Sequence, residues 1–471
     1  MTSATSPSQG QRDYILSRAI HLSSIAALGG FLFGFDTAVI NGAVDAMRDH
    51  FGIGSVLIGF VVSSALLGCV VGAYVAGRLA ERYGRVRVMV IAAAAFTLSA
   101  LGSGLAIGPW DMIFWRVLGG LGVGAASVIA PAYIAEISPA SIRGRLGSLQ
   151  QLAIVVGIFL ALLSDSFLAS TAGGSREALW GSVAWRWMFW VEAIPAVAYG
   201  LLALTIPESP RYLVTRSRVE EARTVLGSIM ITGINERIDE IKRTVRQEAK
   251  ATLRDLLGPS GRILPIVWIG IALSIFQQFV GINVIFYYST TLWQAVGFTE
   301  ADALTQTVIT SVTNIVVTII AILLIDKIGR RLLLLIGSSG MTISLGVMAV
   351  VFAIAEKTEV DGHLVPILTD PQALTALIAA NAFVVFFGMS WGPGVWVLLG
   401  EMFSNKIRAT ALGIAAAAQW LANFAVSTTF PTMADVGLGF AYGFYTVFAL
   451  LSLLFVIKWV PETKGRELED M

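Results

Sequence analysis

The sequence predicts an all-α membrane protein with twelve transmembrane helices in two pseudo-symmetric six-helix halves, and three observations lead there. Of its 471 residues, 56% are hydrophobic and only 13% are charged, whereas soluble domains carry about a quarter charged residues. The apolar residues fall in long blocks, giving a mean hydropathy of +0.77. Short signatures recur in the same order in the first and second halves of the chain.

About 20 apolar residues cover the hydrocarbon core of a bilayer. Twelve blocks meet that length, at 19–42, 54–77, 87–108, 111–134, 146–168, 186–206, 264–288, 304–325, 332–354, 374–399, 408–431 and 438–460. The 47 glycines suit helices that approach closely in lipid. Of the 32 Lys and Arg residues, 27 fall in the tails and even-numbered loops. Arg48, Arg176, Arg186 and Lys357 lie in or beside the other loops, and Arg116 lies inside a span. Basic loops stay cytoplasmic, so both termini are expected inside the cell membrane.

Residues 1–18 are polar and read as a disordered cytoplasmic tail. The apolar block after them is too long for a signal peptide and contains Asp36, so it reads as a retained span. Residues 19–207 form the first half, 208–262 an intracellular helical linker, 263–461 the second half, and 462–471 a second tail. The linker reading rests on helical spacing of Val219, Ala222 and Leu226, then Ile234, Ile238 and Ile241. Asp239 and Arg243, four apart, add a helical charge pair.

The halves repeat each other. AERYGR after span two returns as IDKIGR after span eight, EISPASIR after span four as EMFSNKIR after span ten, and PESPR as PETKG. Glu136 and Arg143 thereby map onto Glu401 and Arg408, each 265 residues later. Duplicated halves are a transporter architecture whose substrate site lies near the midplane between them.

Composition also excludes. Cys69 is the only cysteine, so the chain can form no internal disulfide and no cysteine metal cluster. His21, His50 and His363 show no ligand spacing, and neither metal nor cofactor is expected. A net charge of +1 gives no basis for nucleic-acid binding. No nucleophile with a nearby base and no phosphate-cradling loop is present, so an enzyme is not expected.

Three spans carry charge at depth: Asp36, Arg116 and Glu192. Such residues are costly in lipid and default to function. They either lock helices together or form a proton site, in which a carboxylate loses its Arg partner and takes up a proton. Other spans carry neutral polar groups: Gln277, Gln278, Asn283, Tyr287 and Tyr288, then Asn314, Trp391 and Trp396, and Gln419, Trp420 and Asn423. Each alone could join helices. Together they offer amides and indole faces without clustered charge, which suits a solute rich in hydroxyls. Near the cytoplasmic ends of spans lie Arg82, Arg85, Glu136, Arg143, Glu208, Arg330, Arg331, Glu401 and Arg408. Part of this is topology, but the acidic members are expected to bridge the two halves and hold the inner side closed when the site faces out, and to part when it opens.

These stretches resemble the sugar porter family of the major facilitator superfamily. The match is carried by GGFLFGFDTAVING, ERYGR, WRVLGGLGVGAASVIAPAYIAEISPASIRGRLGSLQQ, PESPRYL, FQQFVGIN, DKIGRR, SWGPGVWVLLGEMF, AQWLANF and PETKG, spread over nearly the whole chain. Bacterial glucose permeases and proton-coupled hexose symporters are similar. The resemblance implies secondary active transport of a hexose, D-glucose foremost, with protons, by a functional monomer in the bilayer. It implies that Asp36 and Arg116 carry the coupling. It implies sugar contacts at Gln277, Gln278, Asn283, Asn314, Trp396, Gln419 and Trp420, and an inner gate at the cytoplasmic Glu and Arg residues. It also implies a span-five Gln ten residues after the opening Ser, where counting from Ser148 reaches Ile158. A facilitative uniporter, a pentose or cyclitol symporter and a sugar sensor stay open as alternatives.

Overall fold

The computed structural model describes residues 14–138, 143–247, 256–257, 261–360, 363–403 and 407–462. Span one is α1 (Leu16–Ala38), continued by a 3-10 turn (Asn41–Ala43) and α2 (Val44–Phe51). Then come α3 (Ser55–Tyr83), α4 (Arg85–Leu105), α5 (Pro109–Ile137), α6 (Arg143–Ala172) and α7 (Ala184–Ala203). The linker forms α8 (Pro210–Thr215), α9 (Val219–Ile229) and α10 (Ile234–Gln247). The second half holds α11 (Pro265–Phe279), α12 (Ile282–Ala295), α13 (Glu300–Ile328) and α14 (Arg330–Ile354). It ends with α15 (Asp370–Phe386), a π turn (Phe387–Trp391), α16 (Gly392–Met402), α17 (Arg408–Val436) and α18 (Leu438–Trp459). Two antiparallel hairpins, β1 (Ala178–Leu179) with β2 (Ser182–Val183) and β3 (Glu356–Val360) with β4 (His363–Ile367), sit in loops and have no counterpart in the sequence reading.

Among the described residues, eleven segments are long and apolar enough to cross a membrane. The twelfth span, α7, falls below that threshold because Trp185, Arg186, Trp187, Trp190 and Glu192 dilute its hydropathy. It is a span nonetheless: it packs against α4, α1 and α6, and Glu192 is buried. Two spans expected to be continuous are broken. Span seven breaks at Val280–Gly281, where Gly281 has φ +84°, a backbone setting that L side chains rarely adopt. Span ten breaks at the π turn, just before Pro393, which has no N–H to offer. The expected tail is shorter than 18 residues, since α1 starts at Leu16 and Tyr14 pairs with Met230 of the linker. Residues 1–13 and 463–471 lie outside the described residues.

Close backbone contact assembles the first half. A Cβ on Gly120 of α5 would lie 1.9 Å from the Ala65 carbonyl oxygen of α3. A Cβ on Gly34 of α1 would lie 2.0 Å from the Ile154 carbonyl oxygen of α6. Small residues therefore let α3 meet α5, and α1 meet α6, at van der Waals range, the principal attraction between helices in lipid. Gly29 lets α1 meet α5 in the same way: a Cβ there would lie 3.2 Å from the Ala126 Cβ.

Tyr14 on the linker shows that α1 starts at the face carrying the linker helices and ends at the opposite face. The hydrogen bonds found between the halves, among the described residues, lie toward that opposite face. Asn41 donates to the Phe286 carbonyl (2.9 Å) and to Ser289 Oγ (3.0 Å), and its own Oδ1 accepts from the Thr290 N–H and hydroxyl. Ser63 and Thr428 share a hydrogen bond of 2.6 Å, Thr291 donates to Asp45 (2.9 Å), and the Ser175 N–H donates to Glu300 (2.9 Å). The structure is thus sealed at the face away from the linker.

Replacing Gly120 by Val should overpack the α3–α5 contact at a cost of about 1–3 kcal/mol. A lower thermal unfolding midpoint in detergent, with Gly120→Ala intermediate, is the expected result.

Candidate functional site

Asp36 and Arg116 meet in the core of the first half. Arg116 Nη1 donates to Asp36 Oδ1 and to the Asp36 carbonyl oxygen, each at 3.1 Å. The two side chains are 0% and 2% exposed. Glu192 of α7, 1% exposed, faces the same pair and interacts with Asp36. Two carboxyl groups and one guanidinium therefore share one dry pocket. Asp36 Oδ2 and both Glu192 oxygens have no hydrogen-bond donor. A buried ion pair holds together only while both partners are present, since removing one strands a charge. A proton on either carboxyl removes that constraint. Gly119 keeps the approach open: a Cβ there would lie 3.0 Å from Asp36 Oδ1 and 2.5 Å from Ser99 Oγ.

The second half presents neutral polar groups around the two breaks. Gln277, one turn before the break in span seven, donates to the carbonyls of Trp391 (2.8 Å) and Gly392 (3.2 Å) at the break in span ten. Its amide thus ties the end of α11 to the first turn of α16 and joins the two breaks. Gln278 donates to Gln277 Oε1, and Asn283 donates to Gln278 Oε1, forming one amide chain across Gly281. Asn314 of α13 is buried against the π turn near Gly388. Asn423 donates to the Tyr287 hydroxyl (3.4 Å). Trp420 is buried, Gln419 is half-buried with an unpaired Oε1, and Trp396 is 38% exposed. The halves meet here through Phe33 of α1, whose ring lies 5.4 Å from that of Trp420. Phe33 is three residues from Asp36.

Some polar residues of the sequence reading lie elsewhere. Trp391 is fully buried and donates to Ser338 Oγ (2.9 Å) and the Leu334 carbonyl (3.2 Å) of α14, so it anchors span ten away from the amide chain. Tyr288 donates to the Ser427 carbonyl (2.8 Å) and ties α12 to α17. Ile158, where the resemblance implies a Gln, is apolar and packs partly buried against the core. Two turns before it lies Gln150, buried against Gly30 of α1 with an unpaired Oε1.

At the linker face the Arg–Glu pairs among the described residues lie within each half. Arg85 clasps Glu136 through Nε (3.0 Å) and Nη2 (2.8 Å), and both belong to the first half. Arg330 clasps Glu401 in the same way (3.0 and 2.7 Å), within the second half. Glu208 accepts the backbone N–H groups of Arg85 (2.9 Å) and Val86 (3.2 Å), capping α4. Glu462 does the same for Arg330 and Arg331 at α14 (both 3.1 Å). Arg331 also donates to the Ile457 carbonyl of α18 (2.7 Å). Each half thus carries the same clamp: a carboxylate on a helix N-terminus, where the dipole favours negative charge, beside a bidentate Arg–Glu pair. These bonds brace each half internally, because the halves meet at the other face. The side chains of Arg143 and Arg408 lie outside the described residues. Glu462 was missed in the sequence, although its PETKG repeat of PESPR was the signal for it.

Comparison with known proteins settles the class. A family model described as "Sugar (and other) transporter" matches residues 22–471. The chain belongs to this sugar transporter family. It is 57% identical over 474 residues to the "Glucose transport protein" of Synechocystis, covering 100% of both chains. It is 39% identical to the "D-xylose-proton symporter" of Escherichia coli, covering 97% of this chain and 96% of the relative. Among solved structures, the "partially occluded inward open conformation" of the E. coli xylose transporter XylE matches with a TM-score of 0.81. That match has 37% identity and covers 96% of this chain and 100% of the other. The protein is therefore a multi-pass membrane transporter with the major facilitator fold, and not an enzyme.

Two substitutions separate roles within the amide chain. Asn283→Ala is expected to weaken sugar binding about tenfold with an unchanged melting temperature, as one hydrogen bond to ligand is worth about 1–1.5 kcal/mol. Gln277→Leu is expected to lower both, since it also removes the tie between α11 and the start of α16. Equilibrium sugar binding with a thermal melt of each variant checks this.

Proposed function

We propose that the protein is a proton-coupled symporter of a hexose, D-glucose first, operating by alternating access in the cell membrane. The observation that carries this reading is a buried Asp36–Arg116–Glu192 cluster in one half, three residues along α1 from the Phe33 ring that packs on Trp420 of the neutral amide and indole cluster in the other. The first can hold or release a proton. The second suits a polyol. Phe33 against Trp420 supplies the mechanical link between them. Relatives named for glucose transport and for proton symport support both parts.

In this reading Asp36 and Arg116 couple the proton, while Gln277, Gln278, Asn283, Asn314, Trp396, Gln419 and Trp420 form the sugar site, joined by Gln150. The distribution of Lys and Arg puts the linker and both termini in the cytoplasm. The sealed face is then the outer one, and the structure faces inward. Arg85, Glu136, Glu208, Arg330, Arg331 and Glu401 brace the inner ends of the halves, with Arg143 and Arg408 beside them in sequence. The outward-facing protein takes a proton on Asp36 and sugar from outside. The halves then rock, the outer hydrogen bonds form, and sugar and proton leave inward. As the proton leaves, Arg116 recovers its ionised partner. The working unit is a monomer in the bilayer, since each chain holds both halves of the site.

Labelled D-glucose uptake into proteoliposomes, with and without an inward proton gradient, tests the proposal. Accumulation above equilibrium driven by the gradient is expected. Asp36→Asn should abolish that accumulation while sparing sugar exchange at equal concentrations. Uptake that only equilibrates in the unmutated protein would make it a facilitator, with the ion pair a structural joint. No glucose signal in either condition would move the search to pentoses and cyclitols.

A further inference from the structure

Asp165 lies in α6, toward the sealed face, and is 0% exposed. Neither the Asp36 cluster nor the sugar site uses it. Its Oδ2 accepts the Gly42 N–H at 3.3 Å, and its Oδ1 has no partner. The fit is tight: a Cβ on Gly42 would lie 2.8 Å from the Asp165 Cβ. Gly42 belongs to the 3-10 turn of span one, and its neighbour Asn41 makes four of the hydrogen bonds that join the halves. Asp165 is therefore roofed by the turn that seals this face.

No cation balances it among the described residues. The charged groups on neighbouring elements have partners of their own. Arg116, Asp36 and Glu192 meet one another. Arg48 donates to Ser55, and Asp45 accepts from Thr291. Asp49 pairs with Arg176. Arg186 donates to the Gly104 and Ala106 carbonyls and lies near His50. Glu300 accepts the Ser175 N–H, and Asp302 accepts from Thr299. A carboxylate buried in a span without cation or second donor is prohibitively costly, whereas the neutral acid is not.

We propose that Asp165 is a second proton-binding carboxyl of the transport cycle, loaded from the face opposite the linker before the 3-10 turn closes over it. The proton binds Oδ1 while water reaches the group, and closure traps the neutral acid. Re-opening lets water in and the proton leaves to that same face. The inference rests on the alternating-access reading and adds a proton-linked term to its outer gate, separate from the Asp36 pair.

The test uses purified full-length protein with Ser63→Cys as reporter in a Cys69→Ser background, since Ser63 touches Thr428 across the seal. Asp36→Asn is included so that the coupling carboxyl does not contribute. Reaction with a maleimide is followed from pH 8 to pH 5.5 and normalised to the unfolded protein at each pH. With Asp165 present, labelling should slow about fivefold toward acid, since one linked proton gives at most tenfold per pH unit. Asp165→Asn should flatten the profile to within twofold, and Asp165→Glu should restore a slope with a displaced midpoint. A slope that survives Asp165→Asn unchanged overturns the proposal. If the Asn variant does not assemble, an unmoved midpoint in Asp165→Glu overturns it instead. Labelling that ignores both pH and saturating sugar in the background protein would overturn the alternating-access reading itself.

Discussion

Everything in the first half is arranged around one fact: a guanidinium buried in a membrane must be answered. Arg116 is answered twice by the same residue, through the side chain and the main-chain carbonyl of Asp36. This demands that α5 and α1 run close and in register, and glycines at their contacts make that approach possible. Glu192 then enters on α7, whose aromatic and charged residues weaken it as a span. The cost of burying charge is large and its benefit to stability is small. Retention of such a cluster is understandable when its members change partners during work.

The second half solves a different problem. Two of its spans are broken, and broken helices leave polar backbone groups that lipid cannot satisfy. Gln277 ties the two breaks together, while Gln278 and Asn283 extend the amide chain across Gly281. The repeat seen at the span ends is a third device. Glu208 and Glu462 cap α4 and α14 alike, and each cap sits against a bidentate Arg–Glu pair.

Much of this was legible in the sequence. Apolar block length, basic asymmetry and the duplicated signatures gave twelve spans and two halves. Asp36, Arg116 and Glu192 stood out because charge in a span has few bland explanations. What escaped was geometry at short range. Gly281 and Pro393 were visible, yet only coordinates show that they break spans seven and ten and that Gln277 joins the two breaks. Pairing of Arg85 with Glu136, and of Arg330 with Glu401, within each half was not foreseen; the bridges expected between halves belong to a state in which this face is closed. Composition names the partners of a salt bridge, but it does not say which helix ends adjoin. Asp165 was overlooked because it lies near the end of a polar stretch, LSDSF, that reads as the rim of a span.

The seal between the halves has one further property. Among the described residues its bonds run between hydroxyls, amides, backbone groups and two carboxylates, Asp45 and Glu300, and none joins a carboxylate to a cation. Ionic strength screens charge–charge attraction over about 8–10 Å but leaves contact hydrogen bonds nearly untouched. A closure built this way depends on donor–acceptor fit more than on ionic strength, with the attraction of Arg176 for Glu300 the charge-based part of it.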